Sequence, residues 1–240
     1  MCNGSIMDKL ISFSLPLMVS GILQLAFNAV DIIVVGRFSG SQALAAVGST
    51  TALINVFTNL FIGISLGANV LAARFYAAGK DREMSETVHT SITLALISGI
   101  MMAVIGVLLA KWALEIMGTP DDVIGQSALY MRIYFMGMPF FMLYDFGASI
   151  LRSIGDTRRP MYALIVSGVV NVILNLLFVV VFHMGVAGAA LATLISRVFC
   201  AVVVLAQLRQ DRQPIVVRDY LKIRPDFRMI RRILSIGIPS

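Results

Sequence analysis

Apolar residues run along this chain in six long stretches separated by short polar ones: Leu10 to Val35, Leu44 to Leu71, Thr90 to Ala110, Ala128 to Ile150, Met161 to Phe182 and Val186 to Leu208. A helix needs roughly 20 consecutive apolar residues to cross a bilayer, and each stretch supplies about that many. Strands of a membrane barrel are only about 9 to 11 residues long, and an open sheet edge would leave backbone groups unpaired in lipid. The pattern therefore predicts an all-α integral membrane protein with six spanning helices. The first stretch is too long for the apolar part of a signal peptide and has no small-residue cleavage site after it, so it counts as the first helix.

The polar positions inside these stretches carry the candidate chemistry. A charge at membrane depth costs at least about 2.5 kcal/mol, so such residues are functional candidates by default. In the first stretch Gln24, Asn28 and Asp31 are spaced by four and three, which stacks them on one helix face. Asp31 lies about 6 Å from the outer end by helical rise, so a carboxylate reaching the outer surface is the plainer alternative. The fifth stretch repeats the spacing with Ser167, Asn171 and Asn175, and the second with Thr51, Asn55 and Asn59. Such groups also hydrogen-bond between packed helices for about 0.6 kcal/mol each, which accounts for any one of them alone. Convergence on Asp31 would set them apart, because an aspartate among amide oxygens can hold a proton or a sodium ion.

Asp145 in the fourth stretch and Arg197 in the sixth are the other intramembrane charges away from a helix tip. They could pair, or Arg197 could reach Asp31 or neighbouring carbonyls. The fourth stretch is rich in methionine, and Met138 and Met142 are candidates for a soft, adaptable binding surface, with core packing as the alternative. Pro16 and Pro139, the latter near Gly137, are expected kink positions.

Composition agrees with a membrane setting: 58% of residues are hydrophobic and 13% charged, against about 25% charged in an average soluble chain. Basic residues fix an expected orientation. With the N-terminus inside, the inner segments hold Lys9; Arg74, Lys80 and Arg82; Arg152, Arg158 and Arg159; and the run from Arg209 to Arg232. The outer loops hold only Arg37 and Lys111, so both termini are expected in the cytoplasm of a multi-pass protein of the cell (inner or plasma) membrane. The same bias explains the +6 net charge through anionic lipid headgroups, and nucleic acid is not an expected partner. Cys2 and Cys200 suggest no disulfide framework. No G-x-x-x-x-G-K-[ST] loop occurs, and His89 and His183 fall on opposite sides of the membrane. With no clustered nucleophile, base or metal set, neither an enzyme nor a cofactor is expected, and no metal beyond a possible sodium ion at Asp31.

The two ends of the chain resemble each other. Lys9 to Pro16 reads KLISFSLP and Arg232 to Pro239 reads RILSIGIP. The expected organisation is a six-helix unit over 1–208, a basic cytoplasmic linker over 209–231, and the opening of a second repeat over 232–240. The missing second lobe, or a second copy of this unit, is then an expected partner.

Five stretches resemble the MATE family, the multidrug and toxic compound extrusion transporters. They are FNAVDIIVVGRFSG around Asp31, LGANVLAARFYAAGK from Leu66, LRSIGDTRRPM from Leu151, NVILNLLFVV from Asn171, and GVAGAALATLIS from Gly185 to Ser196. The third is the most specific. The resemblance implies a twelve-helix fold of two lobes rocking about a central cavity and exchanging drugs, amphipathic organic cations above all, for protons or sodium. This chain would be the N-terminal lobe. Asp31 matches the family's cation-binding aspartate, and Asn171 and Asn175 its fifth-helix polar pair. Asn175 stands where some branches carry an aspartate, Asp145 where many relatives look amide-like, and Arg197 where a glutamine is usual. A flippase for lipid-linked oligosaccharides or precursors, from the same superfamily, would need a more cationic cavity, for which Arg197 and Arg132 are available. A non-transporting assembly or scaffold unit is the remaining alternative.

Overall fold

A backbone in lipid must satisfy its own hydrogen bonds, and every apolar stretch accordingly forms helix. The computed structural model describes residues 6–210 and 227–237; among them there is no β-strand. Helices α1 (Ile6–Phe38), α2 (Gly40–Ala77) and α3 (Asp81–Ile116) each run past the apolar stretch that predicts them. The fourth expected helix is divided into α4 (Asp121–Met136) and α5 (Met138–Ser153), bent by 45° at the break. Helix α6 (Arg158–Asn175) continues through a π-helical turn at Leu176–Val181, and α7 (Gly185–Gln210) follows. Among the described residues five helices are long and apolar enough to cross a membrane, and the bent pair counted as one span makes six, so the chain is a multi-pass membrane protein.

The break has a local cause. The Gly137 N–H turns back to the Tyr134 carbonyl at 3.0 Å, and the Gly137 carbonyl accepts the Phe140 and Phe141 N–H groups at 3.1 Å. Pro139 sits in the first turn of α5, where a missing N–H costs nothing. Helix α3 passes so close here that a Cβ on Gly99 would lie 2.5 Å from Pro139 Cα, and only glycine allows that approach. At Pro16, by contrast, α1 remains one helix, with Ser20 Oγ donating to the Pro16 carbonyl at 2.7 Å.

The LRSIGDTRRPM stretch is the corner between α5 and α6. Gly155 takes the left-handed φ of 89°, and the Asp156 carboxylate accepts the Arg158 and Arg159 N–H groups at 3.2 and 3.1 Å. It also pairs with Arg159 Nε at 2.8 Å, so one side chain caps the start of α6 and holds its cation.

Buried apolar side chains form two clusters. One, with Val35, Val47, Ile133 and Ala190, lies toward the end where α1 turns into α2. The larger, with Met84, Phe135, Met142, Phe146 and Leu208, fills the rest. The basic residues gather at the opposite end: Arg74, Lys80 and Arg82 around the α2–α3 turn, Arg152, Arg158 and Arg159 around the α5–α6 corner, and Arg209 at the end of α7. Arg37 stands in the last turn of α1 and Lys111 lies within α3 ahead of its last turn, rather than in loops.

A further helix, α8 (Phe227–Gly237), begins within the segment read as linker over 209–231, and α7 extends two residues into its start. The remainder of that linker, 211–226, and residues 238–240 of the expected second repeat lie outside the described residues. Helix α8 packs on α2 and α3 through Met229 and Ile233, while Arg228, Arg231 and Arg232 are exposed.

Candidate cation-binding site

Two helices, α6 and α7, bring Asp31 of α1 its partners. From α6, Asn175 Nδ2 donates to Asp31 Oδ1 and also to Asn171 Oδ1 at 3.2 Å. From α7, Thr193 Oγ1 stands 3.2 Å from Asp31 Oδ2 and 3.0 Å from the Ala189 carbonyl, and can give its one proton to either. Asn171 Nδ2 reaches the same hydroxyl at 3.5 Å. The i, i+4 spacing of Asn171 and Asn175 lets one face of α6 present both amides to α1. Asp31 is 7% exposed and Asn175 fully buried, so Asp31 does not reach the surface as the snorkelling alternative requires. The Asn175 carbonyl oxygen, buried in this cluster, has no hydrogen-bond partner.

The cluster opens on a cavity that is partly open to the outside. Gln24, Asn28 and Asp31 of α1, Ser167 and Asn171 of α6, and Arg197 of α7 all face it, so the polar faces of the first and fifth expected helices meet there. Close approach of α1 and α6 depends on Gly168, where a Cβ would overlap the Phe27 ring. Ser167 Oγ donates to the Ser196 carbonyl of α7 at 2.6 Å, tying the third side of the cavity to the second. The π-helical turn starts at the residue after Asn175, at the point where the side chain must meet Asp31.

The family profile described as MatE matches residues 16–177 of the chain. The chain belongs to the MatE family. Among its relatives, the probable multidrug resistance protein YoeA of Bacillus subtilis (strain 168) is 36% identical over 236 residues, 95% of this chain and 50% of YoeA. The multidrug export protein MepA of Staphylococcus aureus (strain MRSA252) is 25% identical over 99% of this chain and 52% of MepA. A crystal structure of MATE in the bent conformation superposes with a TM-score of 0.90 at 26% identity, over 98% of this chain and 52% of that one. A MOP superfamily transporter from Pyrococcus furiosus Vc1 (DSM3638), described as having a binding pocket of reverse polarity, gives 0.89 at 26% identity, with 98% and 52% covered. The MatE chain thus spans about half the length of the relatives it matches, and its fold is that of one lobe.

Other residues singled out in the MatE sequence lie elsewhere. Asn55 and Asn59 are exposed on α2 and do not join Asp31, although their spacing equals that of Asn171 and Asn175. Met142 is fully buried in the larger apolar cluster and faces neither this cavity nor a smaller one beside it; Met138, equally buried, touches the smaller one. Arg132 is exposed on α4. Arg197 makes no ion pair with Asp145; its guanidinium lies over the Phe141 ring, 4.8 Å from the centroid. Thr193 is the member of the site that sequence reasoning misses, since a threonine in GVAGAALATLIS looks like ordinary helix packing. Its only signal is a position one turn before Arg197.

Proposed function

We propose that this chain is the N-terminal lobe of a secondary active multidrug exporter, which exchanges amphipathic, cationic drugs for protons or sodium ions across the cell membrane. Asp31 binds the coupling cation, with Asn171, Asn175 and Thr193 supplying neutral oxygens, and Gln24, Asn28 and Arg197 line the way to it. The observation that carries this reading is the meeting of α1, α6 and α7 around one buried carboxylate on an open cavity. The Asn175 carbonyl without a partner supports it, because a buried acceptor beside a carboxylate suits a cation with oxygen ligands. The names of YoeA and MepA support drugs as cargo. The excess of Lys and Arg at one end of the bundle supports cytoplasmic termini. The second lobe, or a second copy of the chain, closes the cavity from the far side, and anionic lipids contact the basic end.

Coupling then follows from differential affinity. Cation binding at Asp31 favours the outward-facing state or drug release, and loss of the cation permits loading from the cytoplasmic side. A flippase for lipid-linked sugars is less well supported, because Arg132 stands outside the cavity and leaves Arg197 as the one cation lining it among the described residues. The test is ethidium efflux from cells carrying the full-length gene. Asp31→Asn is expected to abolish efflux at unchanged expression, and unaltered efflux would sink the assignment.

A further inference from the structure

The cavity carries two charged side chains of opposite sign, Asp31 and Arg197, and they are not paired with each other or with any other charged group among the described residues. Arg197 is half-buried, and no hydrogen bond to the described residues engages its guanidinium, so its donors face the cavity. Contact with Phe141 fixes where it sits without engaging its N–H groups, because a cation over a ring uses charge and not donors. Arg197 also borders the smaller cavity with Tyr134, Met138 and Phe141, so it stands between two openings.

Position gives the spacing. Thr193, which touches Asp31, precedes Arg197 by one helical turn, about 6 Å along the axis of α7. A cationic centre drawn to Asp31 would therefore hold its other end near a guanidinium whose planar fork matches a carboxylate bidentately. A drug with a positive charge alone gains nothing from Arg197 and is repelled by it.

We propose that Arg197 is a specificity-determining residue that recognises an anionic group on the substrate, so that zwitterionic amphiphiles, with a cation and a carboxylate about four methylenes apart, are preferred over plain cations. The proposal rests on the exporter reading above, and one matched pair of probes separates the two. The probes are (4-carboxybutyl)triphenylphosphonium and its methyl ester, alike except for the carboxylate charge. Their binding to the full-length protein purified in non-ionic detergent is measured at neutral pH by calorimetry.

The zwitterion is expected to bind about tenfold more tightly than the ester, the size of one charge-assisted contact. Arg197→Gln collapses that ratio toward one, and Arg197→Lys, which keeps the charge but not the planar fork, retains only part of it. Comparing ratios between variants cancels partition into micelles, and the preference of the unsubstituted protein stands as a test even if Arg197→Gln does not fold. An ester bound as tightly as the zwitterion overturns the role of Arg197 and leaves the exporter reading intact. Failure of the protein to bind either probe overturns both.

Discussion

Two aspartates are buried in this bundle to almost the same degree, Asp31 at 7% exposure and Asp145 at 8%, but the partners around them differ. Asp31 has side-chain partners for both oxygens, drawn from two other helices, and faces a cavity. Asp145 lies within α5 and lines neither cavity, and its Oδ2 has no partner. On the same helix the Tyr144 hydroxyl and Arg152 Nε are also buried without partners. One turn on from Asp145, Ser149 is occupied with α2, through Ser65 at 3.3 Å and Asn69 at 2.8 Å. Burial therefore does not by itself single out the carboxylate proposed to bind the coupling cation. What distinguishes Asp31 is a ready-made set of neutral ligands and a path to the outside.

The comparison breaks most sharply at the carboxylates themselves. Asp31→Asn should remove efflux altogether, whereas Asp145→Asn should leave it within about twofold, because the proposed mechanism uses the charge of Asp31 and not that of Asp145. A parallel collapse in cells carrying Asp145→Asn would erase the contrast. Next in size is the wall of the cavity. Gly168→Leu drives a side chain into the Phe27 ring and should destabilise the protein by about 1 to 3 kcal/mol, seen as a lower melting temperature in detergent. An unshifted melting curve would mean that α1 and α6 can separate freely.

Smaller effects sharpen the picture. Thr193→Val keeps the shape of the side chain and removes its hydroxyl oxygen from beside Asp31 and Asn171, so sodium affinity should fall about fivefold, the value of one contact near 1 kcal/mol. Half-maximal cation concentration for transport reads this directly, and no change would exclude Thr193 from the site. Least of all, Asn59→Ala on the exposed face of α2 should alter cation dependence by less than about twofold.

The sequence made the spans legible because a bilayer imposes a length that few other structures need, and MatE membership was legible in loops such as LRSIGDTRRPM, where Gly155 and Asp156 have fixed conformational tasks. The break at Gly137 was signalled as a kink but not as two helices, since a Gly and Pro pair says where a helix weakens and not how far it turns. The π-helical turn at Leu176–Val181 gave no signal, for LLFVVV suits any apolar helix. Equal spacing of Asn55 with Asn59 and of Asn171 with Asn175 concealed opposite fates. Periodicity defines a face, and only packing against neighbours decides where the face looks. Thr193 stayed hidden for the same reason, as its role depends on α1 and α6 arriving opposite it.

The central claim is that one cation site at Asp31 is linked to drug binding. Its most direct test is binding of tetraphenylphosphonium to the purified full-length protein, measured across a range of pH and of sodium concentration, with and without Asp31→Asn. The account predicts that protons or sodium weaken binding in the unsubstituted protein and that this competition disappears in the variant. Competition that persists unchanged in Asp31→Asn would place the coupling cation elsewhere and contradict the account.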